Sequence, residues 1–161
     1  MSDESLQGGD MQEGGAAAEP FEHCFVMGAG SWGTALAIHL ARAGRQVTLW
    51  MRSPDLAEQI NADRRNDIYL PDVKLPDNID ATADPTAIGN ADAALCVIPS
   101  QHMRGLLPSF AAATGDRPLP VALCSKGIER STGLLMHDVL ADVWPTAKGA
   151  VLSGPSFASD V

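Results

Sequence analysis

Gly28-Ala29-Gly30-Ser31-Trp32-Gly33 sets three glycines at a fixed spacing between two apolar segments of different character. Ahead of it, Cys24-Phe25-Val26-Met27 is a short continuous apolar run that reads as a buried strand. Behind it, Thr34-Ala35-Leu36-Ala37-Ile38-His39-Leu40-Ala41-Arg42-Ala43 reads as a helix, with Gly33, Leu36, Ala37, Leu40 and Ala41 forming one apolar face. Strand, glycine-rich turn and helix in that order make the G-x-G-x-x-G arrangement, in which each glycine has a physical task. Gly28 permits the tight turn off the strand. Gly30, lacking a side chain, allows a diphosphate to approach the backbone, and Gly33 lets the helix pack closely. The N–H groups and positive dipole end of the helix then face the phosphates. Placement between a strand and a helix favours this reading over a plain glycine-rich turn, so Gly28, Gly30 and Gly33 are candidate cofactor-binding residues.

Length and charge bound the alternatives. The 161 residues suffice for one domain with its own core, and 45% hydrophobic content is ordinary for a globular chain. A net charge of −9 argues against a nucleic-acid partner, which selects a basic face. Up to Glu22 there are six acids and no Lys or Arg, so residues 1–22 are expected to form a disordered acidic tail, leaving 23–161 as the folded domain. The tail is neither basic nor apolar enough for a targeting peptide, and no apolar run reaches membrane-spanning length. Cys24, Cys96 and Cys124 lie in or beside apolar runs without metal-type spacing. They read as reduced thiols in a cytoplasmic protein, with no metal site.

Gly44 ends the first helix as a left-handed cap, and Gln46-Val47-Thr48-Leu49-Trp50 is the next strand, completing a βαβ unit. At the end of that strand a dinucleotide site usually carries an acid for the adenine ribose. Here Met51-Arg52-Ser53 stands instead. A carboxylate would repel the extra phosphate of NADPH, whereas a guanidinium binds it as a bidentate fork, so Arg52 favours NADP, with NAD also accommodated. The plain alternative is a surface arginine beside a helix start.

The remaining pattern alternates strands and helices. Helices are expected at 54–62, briefly after Asp84-Pro85, at 101–113 and at 132–143. Strands are expected at 79–82, 93–98, 120–124 and 150–152, with 66–76 as a proline-punctuated loop. This is an α/β doubly wound parallel sheet of the Rossmann-like kind. Ligands in such sheets sit beyond the carboxyl ends of the strands, which gathers Gly28 to Gly33, Arg52, Pro99-Ser100, Lys126 and the segment 154–158 on one rim. Lys126 is one of three lysines and directly follows an apolar strand, where a cation can hold a phosphate or polarise a carbonyl. A loop lysine in water is the alternative.

Four segments together resemble the bacterial NAD(P)-dependent glycerol-3-phosphate dehydrogenases: Gly28 to Ala35, Tyr69-Leu70-Pro71, Ser125-Lys126-Gly127-Ile128-Glu129 and Ser153-Gly154-Pro155-Ser156-Phe157-Ala158. The likeness runs from about Phe25 to Val161. It implies reversible reduction of dihydroxyacetone phosphate to sn-glycerol 3-phosphate, supplying phospholipid synthesis. It further implies cofactor contacts from Ser31, Trp32, Arg52, Tyr69 and Ala158, with Ser53 assisting Arg52. Lys126 would touch both cofactor and substrate, and Gly154 and Ser156 would hold the substrate. Asp72 departs from the pattern where a glycine often follows Tyr-Leu-Pro, and Asp160 replaces a glutamate.

That family has a second, helical domain carrying the general acid/base lysine, which is absent from this chain. The sequence therefore predicts dinucleotide binding with little or no turnover, Lys126 being at most a weak proton donor. It also predicts an apolar face that favours aggregation or a homodimer. A stand-alone NAD(P)-responsive binding module is the second reading, although such a module needs no substrate-phosphate site at Lys126. An S-adenosylmethionine-dependent methyltransferase is the third, although it would favour an acid where Arg52 stands.

Overall fold

The structure is a computed structural model describing residues 21–154. The expected tail falls almost wholly outside the described residues, as do Ser156, Ala158 and Asp160.

Six parallel strands form the sheet: β1 (His23–Met27), β2 (Gln46–Trp50), β5 (Ile79–Thr82), β6 (Ala93–Cys96), β7 (Pro120–Leu123) and β8 (Lys148–Val151). Their spatial order is β5-β2-β1-β6-β7-β8, so the chain winds outward from β1 to one edge and then crosses to the other side of β1. Four helices cover the faces: α1 (Ser31–Arg42), α2 (Pro54–Asp63), α3 (Ser100–Thr114) and α4 (Met136–Val143), with a 3-10 turn at Pro85–Asn90. The doubly wound sheet expected from the alternating pattern is present.

Continuous apolar runs in β1 and β6 follow from burial on both faces. Phe25 and Met27 point into one core with Phe110, Met103 and Val139, from α3 and α4. Val26, one residue out of phase, points into the other with Ala37, Ile38, Ala57 and Ile60, from α1 and α2. Phe110 meets the edges of Phe25 and Trp50, at centroid separations of 5.8 and 4.9 Å. Gly44 takes φ +82 just past α1, as a left-handed cap should.

Three expectations need correction. Residues 66–76 are not all loop: β3 (Arg65–Asn66) pairs antiparallel with β4 (Leu70–Lys74) outside the main sheet. A two-stranded ribbon exposes most of its side chains and tolerates Pro71, so it leaves little periodic signal. Asp72 takes φ +66 in it, a left-handed conformation that explains why a glycine suits this position. Second, residues 132–135 are not helical. Gly133 turns the chain at φ +74, Glu129 N–H donates to the Leu134 carbonyl, and Ile128 bridges Leu135, so α4 begins only at Met136. Third, α1 begins at Ser31, three residues earlier than expected, which places Ser31, Trp32 and Gly33 in its first turn. β6 stops at Cys96 and β8 starts at Lys148, shifts of the kind usual at element ends.

The tightest point is where α1 meets the end of β1. A Cβ on Gly33 would lie 1.8 Å from the Gly28 carbonyl oxygen, a backbone atom that cannot step aside. Gly33→Ala should therefore destabilise the domain by about 3 kcal/mol, read as a fall in the denaturation midpoint. Gly30→Ala meets nothing within 4 Å at φ −67 and should cost less than about 1 kcal/mol. Equal losses at the two positions would refute this account.

Candidate functional site

The sheet order reverses between β1 and β6, and beyond their carboxyl ends the two connections part and leave a cleft. A cavity of about 380 Å³ opens there. Its floor is Gly28, Ala29 and Gly30 after β1, and its sides are Met51, Arg52 and Ser53 after β2 and Val97, Ile98 and Pro99 after β6. Tyr69 closes it from the ribbon, and His102 and Leu106 line it from α3.

The turn fits an anion. Gly30 is the N-cap of α1 and offers no side-chain hydrogen bond to the first turn, which carries no acid. Its missing side chain leaves open space beside the cavity. The first N–H groups of α1 and the positive end of its dipole are thus left for a ligand phosphate. Gly28, at φ +121, is pressed against the strand exit, since a Cβ there would lie 3.1 Å from the Val97 carbonyl oxygen.

The expected site residues divide into groups. Gly28, Gly30, Arg52, Ser53 and Tyr69 converge on the one cavity, with Arg52 exposed at its rim. Gly33 lies behind the turn as a packing residue. The Ser53 hydroxyl accepts from Leu56 N–H at 3.2 Å as the N-cap of α2, so it both starts the helix and faces the cavity. The Ser31 hydroxyl donates to the Tyr69 carbonyl at 2.5 Å, fastening the ribbon to the glycine turn. Trp32 is half-buried and does not line the cavity.

Lys126 lines a second cavity of about 300 Å³, with Ser125, Gly127 and His137. Its Nζ donates to the Gly154 carbonyl at 3.0 Å, so two residues expected at the substrate end meet. The Ser125 hydroxyl reaches back to the Ile98 carbonyl, tying the Lys126 loop to the wall of the first cavity. Leu135, Val151 and Leu152 stand exposed along this side. Among the described residues no group of three metal-ligating side chains assembles, and no helix is long and apolar enough to cross a membrane.

Several residues at the site gave no local signal. Arg104 grips Glu129 with a two-pronged contact, Nε to Oε1 at 2.9 Å and Nη2 to Oε2 at 3.0 Å, and Thr132 donates to the same carboxylate at 2.5 Å. Gln101 donates to the Ile128 carbonyl at 2.9 Å and accepts from Arg130 N–H at 3.1 Å. Both brace the loop bearing Lys126 from α3, the helix that also lines the cofactor cavity. Thr34 and Asn66 lie fully buried behind the turn.

A parallel sheet with its reversal at a glycine turn, and an anion-ready cavity there, defines a dinucleotide-binding α/β domain. The chain belongs to the family described as NAD-dependent glycerol-3-phosphate dehydrogenase N-terminus, whose model matches residues 23–161. It is 49% identical over 136 residues to a glycerol-3-phosphate dehydrogenase [NAD(P)+] of Parvibaculum lavamentivorans and 51% identical over 136 residues to one of Maricaulis maris. In both cases 84% of this chain and 40% of the relative are covered. Among solved structures it resembles a glycerol-3-phosphate dehydrogenase of Coxiella burnetii, with TM-score 0.79 and 33% identity, covering 86% of this chain and 42% of that one. The chain thus spans about 40% of the length of the curated relatives it matches. Family membership sets aside the methyltransferase reading.

The Arg104 hydrogen bonds, followed by that from Thr132, hold the Glu129 carboxyl below its ordinary range. A carboxylate so lowered adds stability above its unfolded pKa, near 4.3, and loses it as pH falls through the folded value. Glu129→Gln should therefore melt below the parent at about pH 6, and the gap should narrow by about pH 3. Melting curves across that range test this, and a pH-independent gap would show that the ion pair adds nothing.

Proposed function

We propose that this chain is the cofactor-binding part of a glycerol-3-phosphate dehydrogenase that uses NADPH in preference to NADH. With the remainder of its relatives' length it would reduce dihydroxyacetone phosphate to sn-glycerol 3-phosphate. The observation that carries this reading is the convergence of Gly28, Gly30, Arg52, Ser53 and Tyr69 on one cavity at the reversal of the sheet.

When bound, the nicotinamide supplies a hydride to the carbonyl carbon of the substrate. The chain's own residues bind and orient. The glycine turn and the first turn of α1 hold the diphosphate, where backbone donors serve NADH and NADPH alike. Arg52 takes the 2′-phosphate that distinguishes them, with the Ser53 hydroxyl beside it. Tyr69 closes over the cavity. Lys126, fixed by the Gly154 carbonyl, holds the substrate phosphate and carbonyl at the far end. The resemblance alone supports Trp32 and Ala158 at the cofactor and Ser156 at the substrate. The exposed apolar side chains beside Lys126 support a second body of chain closing over that end. The free, buried thiols of Cys24, Cys96 and Cys124 support a reducing, cytoplasmic setting.

Calorimetric titration with NADPH and NADH tests the cofactor reading. Both should bind, and Arg52→Ala should lose NADPH affinity by about tenfold or more while NADH changes by less than about twofold. Equal losses would remove Arg52 from the 2′-phosphate, and no binding by the parent would overturn the whole reading.

Reductase assays with dihydroxyacetone phosphate test the rest. This chain should be slower than one extended to its relatives' length by about a hundredfold or more, the usual worth of a positioned proton donor. Comparable rates would place the chemistry within these residues.

A further inference from the structure

The carbonyl of Ala29, at the centre of the glycine turn, is fastened from behind. It accepts from Asn66 Nδ2 at 2.9 Å and from Thr34 Oγ1 at 3.2 Å, and Asn66 Nδ2 also donates to Thr34 Oγ1 at 2.8 Å. Asn66 and Thr34 are both fully buried. Asn66 comes from β3, 37 residues further along the chain. The Ala29 oxygen can only accept, so the amide nitrogen of Asn66 must be the atom that faces it.

A peptide unit is planar and trans, so the carbonyl of Ala29 and the N–H of Gly30 point in opposite directions. Fastening that carbonyl into the protein turns the Gly30 N–H the other way, and Gly30 lines the cavity, where even an added Cβ would meet nothing within 4 Å. Packing alone does not account for an amide at position 66. Its Oδ1 is buried without a partner among the described residues, a penalty that an apolar side chain of the same branched shape would escape. What Asn66 offers against that penalty is two donors, one to the Ala29 carbonyl and one to the Thr34 hydroxyl. Its own carbonyl accepts from Tyr69 N–H at 3.2 Å, so the same residue also sets the strand turn that presents Tyr69 to the cavity.

We infer that Asn66, acting with Thr34, is a positioning residue for the cofactor diphosphate: it fixes the Ala29–Gly30 peptide plane so that the Gly30 N–H donates into the cavity. The inference rests on the dinucleotide reading above and adds a residue to it. It concerns the part common to both cofactors, whereas Arg52 concerns the part that differs.

Asn66→Leu keeps the branched shape and the number of side-chain heavy atoms and removes both donors, and Thr34→Val removes the hydroxyl at constant shape. Binding of NADPH, NADH and adenosine 2′-monophosphate is measured calorimetrically for each variant and the parent. The last ligand reaches Arg52 but has no diphosphate. In Asn66→Leu, NADPH and NADH should both weaken by about tenfold, the loss of one well-aimed hydrogen bond. Thr34→Val should weaken both by about threefold, and adenosine 2′-monophosphate should change by less than about twofold in either variant. Equal weakening of all three ligands would make Asn66 a general structural residue and overturn the inference, as would unchanged dinucleotide binding. Should Asn66→Leu fail to fold, Thr34→Val carries the same comparison. Failure of the parent to bind any of the three overturns the dinucleotide reading itself, an outcome distinct from a variant that behaves like its parent.

Discussion

Backbone meets backbone where α1 leaves the end of β1, and only a hydrogen atom fits between Gly33 and the Gly28 carbonyl. On the other side of the same turn, Gly28 is held against the Val97 carbonyl, at a φ of +121 that favours glycine. The turn is therefore squeezed between a helix and the exit of the neighbouring strand. This contact sets how closely α1 lies over the sheet, and hence where its N-terminal N–H groups point. The Val97 side of the squeeze comes from β6 returning beside β1, so the reversal of strand order helps to shape the anion site.

Two cavities follow from that arrangement, and α3 is common to them. Its His102 and Leu106 line the cavity of the glycine turn, while Gln101 and Arg104 reach away to the loop that carries Lys126. Arg104 also pairs with Asp142 on α4, so the helix, the Lys126 loop and the last covering helix form one braced unit. An exposed ion pair between two long side chains adds little, but Glu129 is buried and its contact with Arg104 is two-pronged. On the proposed reading, the brace would hold Lys126 at a set distance from the first cavity, as a reaction between two separately bound molecules requires.

Local chemistry decides what was legible. The strands β1, β6 and β7 were readable because burial on both faces leaves mostly apolar residues, β2 because Val47, Leu49 and Trp50 follow the first helix at βαβ spacing, and Gly44 marked the end of α1 because a left-handed cap needs it. The ribbon of β3 and β4 was not readable: it is short, mostly exposed and interrupted by Pro71. Residues 132–135 have helical composition, yet a tertiary bridge from Ile128 to Leu135 claims them first. The same division runs through the site. Gly28, Gly30 and Arg52 announce themselves beside the strands that present them, and the meeting of Lys126 with Gly154 followed from two strand ends. Asn66, Gln101 and Arg104 act through partners 37, 27 and 25 residues away, and no local pattern distinguishes them from surface polar residues.

The site separates affinity from choice. On the proposed reading, backbone N–H groups at the glycine turn recognise what two related cofactors share, and the buried Thr34 and Asn66 behind the turn set their direction. Changing that grip means disturbing the interior, where Thr34 and Asn66 sit at zero exposure. Discrimination would fall instead to Arg52, an exposed side chain beside the helix start that Ser53 caps. It is exposed, and among the described residues its side chain holds no hydrogen bond within the sheet. A fold built this way would keep its hold on the diphosphate while the choice of cofactor rested on a single accessible charge.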